Sequence, residues 1–458
     1  MMPPHIGKTG GESSVRQSND GMLGAMPVPR LVVTMSLPIM LSMLISAVYN
    51  LVDSVYVAQY SDEAFLALSY AYPIQMLLVA FCSGIGVGFS AIFSRRLGEG
   101  DQEQAASAVC HGFFLYGLCW LLFLLFALTG AAPFLRLSTE DPSVARQGAQ
   151  YLLICCGLSI GTCMQFLTER ILQAMGRPAG FMIVQGSGAI LNLILDPIFI
   201  FVLDLGVAGA AAATVIGQIS GALIGFWLVY RLRHQLPIRL RGFRPRGEML
   251  AEMGRVAAPA VVMQSLSSFM SLGLNQLLTR WSQSAVFVLG AYFKLQTFIF
   301  MPIFGISSGL IPILSYNYGS GALRRVSASV RFGQQFTAVL SLSGALLLSL
   351  LASPLLRSAF RASPEALAMG APALRIIALS FFFAGTSIIF CSAFQSLGRS
   401  RWSLLVALLR QILLLLPAAA LLLALKPALV WAAFPLSELI SCFAAALLYR
   451  RTIQKQLL

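Results

Sequence analysis

Twelve long runs of apolar sequence constrain what this chain can fold into more than any motif does. A helix needs about 20 mostly apolar residues to cross the hydrocarbon of a bilayer. Runs of that size fall at about 31–57, 64–93, 105–130, 148–175, 180–203 and 206–231, then at 250–280, 286–316, 327–354, 366–397, 401–426 and 428–450. Several exceed the minimum, which allows tilt. The alternating pattern of about ten residues that marks barrel strands is absent. Only 10% of the 458 residues are charged, against roughly 25% in soluble domains. So few charges cannot cover a water-facing surface. The expected fold class is an all-α integral membrane protein with twelve transmembrane helices.

The charges that remain set an orientation. Lys plus Arg exceed Asp plus Glu by 14. The connection between spans 2 and 3 holds Arg95 and Arg96, and that between 4 and 5 holds Arg177. Between spans 6 and 7 lie Arg231, Arg233, Arg239, Arg241, Arg244 and Arg246. Arg324, Arg325 and Arg331 follow between 8 and 9, and Arg399 and Arg401 between 10 and 11. The C-terminal tail adds Arg450, Arg451 and Lys455. The other side has Arg136, Arg146, Arg280, Arg357, Arg361 and Lys426. The excess of bases on one side predicts that the even connections and both termini are cytoplasmic. The bases serve topology and attract anionic lipid headgroups, and no nucleic-acid partner is expected. Residues 1–29 lack the pattern of a secretory signal and read as a mobile cytoplasmic tail.

The chain repeats itself. Pro38 recurs as Pro259, and Gly84…Gly88…Ser94…Gly98 recurs as Gly305…Gly309…Ser315…Gly319, both at an offset of 221. Gln173-Ala174-Met175-Gly176-Arg177 recurs as Gln395-Ser396-Leu397-Gly398-Arg399 at 222. Each half holds six spans, an even number, so the repeats are parallel and related by an axis along the membrane normal. The expected organisation is a tail at 1–29, an N-lobe at 30–230, a basic linker at 231–249, a C-lobe at 250–450 and a tail at 451–458. Two such lobes imply a cavity between them that rocking exposes to each side in turn.

A charge within a span is costly and needs a reason. Asp53 in span 1 shares a face with Asn50, and Asp196 in span 5 shares one with Asn192. Thr214 and Gln218 share a face of span 6 at comparable depth. Two carboxylates with amide and hydroxyl oxygens suit Na⁺, a hard cation. They equally suit a proton, because burial and a neighbouring carboxylate both favour the neutral acid. In the second half stand Lys294, Arg410 and Glu438, where Glu438 can pair with Arg410 or Lys294, or one of them can meet substrate. Glu169 and Arg170 lie within snorkelling reach of the cytoplasmic end of span 4. Arg375 is the last of these charges. The eight cysteines all lie in apolar stretches and read as small buried hydrophobes. No nucleophile–base pair, metal cluster or P-loop points to an enzyme, and no cofactor beyond a coupling ion is expected.

Taken together, Leu37-Pro38, Asn50-Leu51-Val52-Asp53 and Gly84-Ile85-Gly86-Val87-Gly88 followed by Ser94-Arg95-Arg96-Leu97-Gly98-Glu99-Gly100-Asp101 resemble the multidrug and toxic compound extrusion family. Gln173–Arg177, Asn192-Leu193-Ile194-Leu195-Asp196-Pro197, Met301-Pro302-Ile303-Phe304-Gly305 and Ile311–Gly319 extend the match over about residues 30–450. The bacterial branch with the staphylococcal multidrug exporter and the DNA-damage-inducible efflux proteins is the most similar. The resemblance implies a V-shaped twelve-helix antiporter of the bacterial inner membrane, acting as a monomer. It implies export of small amphiphilic, often cationic drugs or metabolites in exchange for H⁺ or Na⁺. The cation-coupling residues would be Asp53, Asp196, Asn192 and Thr214, with Asn50 and Gln218 beside them. Some relatives also carry acids in helices 7 and 8. Here span 7 offers Gln264, Ser267, Ser268 and Asn275, and span 8 offers Lys294. Gln264 and Asn275, with Lys294, Arg410 and Glu438, are therefore the candidates for lining the cavity or coupling the lobes. Two alternatives remain in view. A lipid-linked oligosaccharide flippase would have more bases in its cavity. A major-facilitator-type carrier would have a Gly…Asp-Arg…Gly-Arg-Arg signature between spans 2 and 3.

Overall fold

The computed structural model describes residues 22–234 and 243–454, and every regular element among them is helical. Arg239, Arg241 and Lys455 lie outside the described residues. The first half comprises α1 (Val28–Tyr60), α2 (Asp62–Gly98), α3 (Gln102–Thr129), α4a (Pro142–Gly157), α4b (Ile160–Ala174), α5 (Pro178–Pro197) and α6 (Gly206–Arg231). The second comprises α7 (Gly247–Thr279), α8 (Gln283–Gly319), α9 (Leu323–Ser358), α10a (Pro364–Ala378) and α10b (Phe381–Ser396). It ends with α11 (Ser400–Leu425) and α12 (Pro427–Ile453). Ten of these helices are long and apolar enough to cross a membrane, or twelve if each bent pair counts as one span.

Local sequence sets the boundaries. Ser61, Asp101, Asp141, Ser282 and Ser363 cap α2, α3, α4a, α8 and α10a through their side chains. Pro142, Pro178 and Pro364 open helices, where a missing N–H costs nothing. Gly176 and Gly398 end α4b and α10b with a positive φ, in the left-handed region that a Cβ disfavours. They are the glycines of the repeated Gln173 and Gln395 segments.

Spans 4 and 10 are not the continuous helices that hydropathy predicts. Each bends by 43°, at Leu158–Ser159 and at Leu379–Ser380. The bends recur at the repeat offset, so both belong to the duplicated unit. A π-helical turn, Ile198–Val202, follows α5, and another, Leu409–Leu413, interrupts α11.

The repeat glycines build the seam between the lobes. A Cβ on Gly84 would lie 2.7 Å from the Val261 nitrogen, and one on Gly305 would lie 2.7 Å from Met40 Cα. Gly88 meets Ala257 of α7, and Gly309 meets Ser36 of α1. Gly98 lies against the Tyr316 carbonyl, and Gly319 against that of Arg95. Each contact has a counterpart displaced by the repeat offset, as a two-fold axis between the lobes requires. Small residues allow this approach where lipid offers no hydrophobic drive. Arg96 adds an ion pair to Glu252 of α7 at 2.8 Å.

The lobes also exchange helix ends. Leu31, Val32 and Met35 of α1 pack with Ile306, Leu314, Val330 and Phe394 of the second half. Met249 and Met253 of α7 pack with the core of the first half. Residues 22–27, placed in the tail by sequence, are folded. Met22–Ala25 is helical and Leu23 is buried. Arg325 donates to the Leu23 and Met26 carbonyls, and Asn317 donates to Leu23. The three bonds give partners to two backbone carbonyls of this segment.

Away from the basic end the seam parts. The face of α8 that is buried at Gly309 and Gly305 becomes 43% exposed at Phe298. On α2 the Gly84 face continues to Leu77 and Tyr70, both exposed. The result is a V-shaped cleft between two six-helix lobes.

Candidate functional site

α1 and α5 bring Asp53 and Asp196 together, with their carboxyl groups in hydrogen-bonding reach of each other. Asp196 is 0% exposed. Asn192, one turn before it, donates from Nδ2 to Asp196 Oδ1 at 3.1 Å and to Thr214 Oγ1 of α6 at 3.3 Å. Gly188 and Gly217 allow α5 and α6 to approach closely enough for this. Pro197 then removes a backbone donor at the end of α5, and the π-helical turn follows directly.

Three acceptor atoms of this cluster are buried with no donor among the described residues: Asp53 Oδ1, Asp196 Oδ2 and Asn192 Oδ1. Buried acceptors are normally satisfied. Unsatisfied oxygens of this kind are chemically suited to a proton or a hard cation. Two sequence candidates stand apart from it. Asn50 is exposed and donates to the Ser46 carbonyl at 2.8 Å. Gln218 accepts from Thr162 of α4b and braces α6 against it.

In the second lobe the open choice resolves to Arg410. Its Nε and Nη2 donate to Glu438 Oε2 and Oε1 at 2.7 and 2.8 Å, a bidentate pair. The side chains are 11% and 15% exposed. Lys294 is exposed on α8 and has no hydrogen bond or ion pair among the described residues. Gln264 donates to Ser83 of α2 at 2.9 Å and so crosses between the lobes. Asn275 is half-buried on α7, and Arg375 donates to the Ser349 carbonyl of α9.

Glu169 and Arg170 do not snorkel. Both are buried, because α4b is packed inside its own lobe, with Gly86 of α2 against Arg170 and Gly221 of α6 against Gln165. Gln165 donates to Glu169, Arg170 donates to Gln173, and Gln173 donates to the Ser308 carbonyl of α8. The repeated Gln173 was the one sequence signal of this inter-lobe link. Seven of the cysteines are buried, as their apolar surroundings predict. Cys82, Cys119 and Cys163 converge within 4.8 Å in the core of the first lobe, a proximity that their spacing did not reveal.

Two pseudo-symmetric six-helix lobes, a cleft between them and a buried acid pair in one lobe define the architecture of a membrane transporter. The MatE family model matches residues 38–198 and 259–421, one stretch in each lobe. The chain belongs to the MatE family. It is 26% identical over 402 residues to the multidrug export protein MepA of Staphylococcus aureus, covering 85% of this chain and 86% of that protein. It is also 26% identical over 417 residues to an FAD transporter of Shewanella oneidensis, covering 88% and 89%. A multidrug resistance MATE family transporter of the MOP superfamily, solved in an outward-facing conformation, shares the fold with a TM-score of 0.89. Its identity is 23%, over 95% of this chain and 97% of that one. The sequence resemblance and the expected fold class are thus borne out.

Proposed function

We propose that the protein is a secondary exporter of amphiphilic, drug-like molecules, driven by inward movement of H⁺ or Na⁺ through the first lobe. The observation that carries this reading is the Asp53–Asp196 pair with its unsatisfied buried acceptors. Two buried carboxylates are unstable beside each other unless a cation neutralises them. Proton and Na⁺ both meet that need, and Asn192 and Thr214 complete an oxygen-rich set. No resident cofactor is needed beyond the coupling ion.

A bound cation drives transport only if it binds one conformation better than another. α1 supplies Asp53 and also packs its basic end on the other lobe. The helix that senses the ion is therefore mechanically tied to the seam. In the alternating-access cycle we propose, cation binding at the pair reorganises α1, and the cleft releases its cargo. The arginine-rich face is cytoplasmic, which places the cleft mouth outside and both termini within the cell. The export named for relatives such as MepA supports the exporter reading, and we take a bacterial inner-membrane location and a monomeric state as part of the same proposal.

The test is dye efflux from vesicles energised by a Na⁺ gradient alone and by a pH gradient alone. Wild-type protein is expected to work under at least one. Asp53→Asn is expected to lose efflux while keeping its expression level and thermal stability. Efflux by Asp53→Asn at the wild-type rate would overturn the proposal.

A further inference from the structure

The charge of the cargo can be read from the cleft walls. α1, α2, α7 and α8 meet at the seam and part above it. Along these four helices, between the seam and their opposite ends, the charged residues are Asp53, Lys294 and, in the first turn of α2, Asp62 and Glu63, of which Glu63 accepts from Ser143 of α4a within the first lobe. Asp53 is turned toward Asp196 in the interior of the first lobe, on a different face of α1 from the Ser36–Met40 ridge. It belongs to the acid pair and not to the cleft wall. Lys294 is different. Helical periodicity puts it on nearly the same face of α8 as Gly305, several turns above the seam. Phe298 stands one turn below it on that face and Leu77 at the equivalent place on α2.

The second lobe offers Lys294 no counter-charge. Glu438 is engaged by both nitrogens of the Arg410 fork. The cleft is therefore an apolar and aromatic wall with one uncompensated cation. Such a wall repels organic cations and holds an aromatic anion by its ring and its charge together. We infer that the cargo of this cleft is an anionic amphiphile, an aromatic body bearing a carboxylate, sulfonate or phosphate, with Lys294 as its anchoring charge. This departs from the cationic cargo that the family resemblance implies, and it rests on the exporter reading for the cleft's role.

Fluorescein and a cationic rhodamine share one ring skeleton and differ in charge. Binding of each is measured on the purified full-length protein by equilibrium dialysis, and transport in reconstituted vesicles under H⁺ and Na⁺ gradients. Fluorescein is expected to bind and move in preference to the rhodamine. Lys294→Gln is expected to weaken fluorescein binding at least about tenfold, the usual scale for a lost charge-assisted contact. Lys294→Arg keeps the preference, and Lys294→Glu reverses it toward the rhodamine. The inference is overturned if wild-type protein prefers the rhodamine, if it binds neither probe, or if Lys294→Gln binds fluorescein normally. Fluorescein binding that depends on Lys294 without gradient-driven transport would sustain the anion site and sink the exporter reading. Rhodamine transport alone would do the reverse.

Discussion

The α5–α6 pair of the first lobe and the α11–α12 pair of the second occupy the same place in the repeat, yet they use it differently. Gly188 and Gly217 draw α5 and α6 together, so that a Cβ on either would lie 2.9 or 2.6 Å from the other's carbonyl oxygen. At the repeat offset of 222 the second lobe has Arg410 in place of Gly188, and Glu438 stands one residue before the counterpart of Gly217. Leu274 stands at the equivalent of Asp53, and Ala418 at that of Asp196. One lobe brings its helices close and leaves acid oxygens unanswered. The other holds its helices with an ion pair in which each charge is answered. A satisfied pair is a brace, and an unsatisfied one is poised to bind.

The largest effect expected of this difference lies in the first lobe. Asp196→Asn should lower gradient-driven efflux by about 100-fold or more, the scale of one lost charge-assisted interaction of about 3 kcal/mol. Its thermal midpoint should hold. Equal efflux by Asp196→Asn and wild type in the same vesicles would erase the contrast. In the second lobe the expected loss is of stability. Glu438→Ala strands Arg410 and should cost about 3–5 kcal/mol, whereas Arg410→Met with Glu438→Leu should recover most of it. Denaturation in detergent reads both. A Glu438→Ala protein of normal stability but without efflux would move the second lobe's pair from brace to machinery.

A smaller effect tests the packing half of the comparison. Gly217→Ala should cost about 1–3 kcal/mol by forcing α6 off α5. Gly186→Ala, where a Cβ meets nothing within 4 Å, should be neutral or stabilising by up to about 1 kcal/mol. Similar melting of the two variants would show that the helices are not held at Gly217. The smallest effect is at the rim of the seam. Glu252→Gln removes the partly exposed pair with Arg96 and should change stability by less than about 1 kcal/mol.

Much of this was legible in the sequence. The spans follow from run length, because hydrocarbon thickness is a hard limit on a helix. The seam was foreshadowed by Gly84, Gly88, Gly98 and their repeats, since glycine recurring at one offset marks a duplicated close contact. Asp53, Asp196, Asn192 and Thr214 could be grouped because depth within a span is countable. Other features were hidden for physical reasons. The bends in spans 4 and 10 contain no proline at the break, and hydropathy is blind to a change of direction. Arg410 could not be preferred over Lys294 as the partner of Glu438, because residue spacing carries no information across separate helices. The packing of α1 on the far lobe was invisible for a related reason, since an apolar face suits lipid and protein equally. Glu169 and Arg170 misled through their position, which is near a helix end yet inside the bundle of their own lobe.

The seam obeys the rule of a homodimer. Gly84 touches Val261 while Gly305 touches Met40, and Gly98 meets the Tyr316 carbonyl while Gly319 meets that of Arg95. Residue i of one half contacts j of the other, and j contacts i, which is the definition of an isologous interface. A single half would carry both the glycine stripe and the ridge that fills it, and two copies would close on each other by the same contacts. The covalent linker then adds what a homodimer cannot have, two halves free to diverge. The acid pair of one lobe and the ion pair of the other record that divergence.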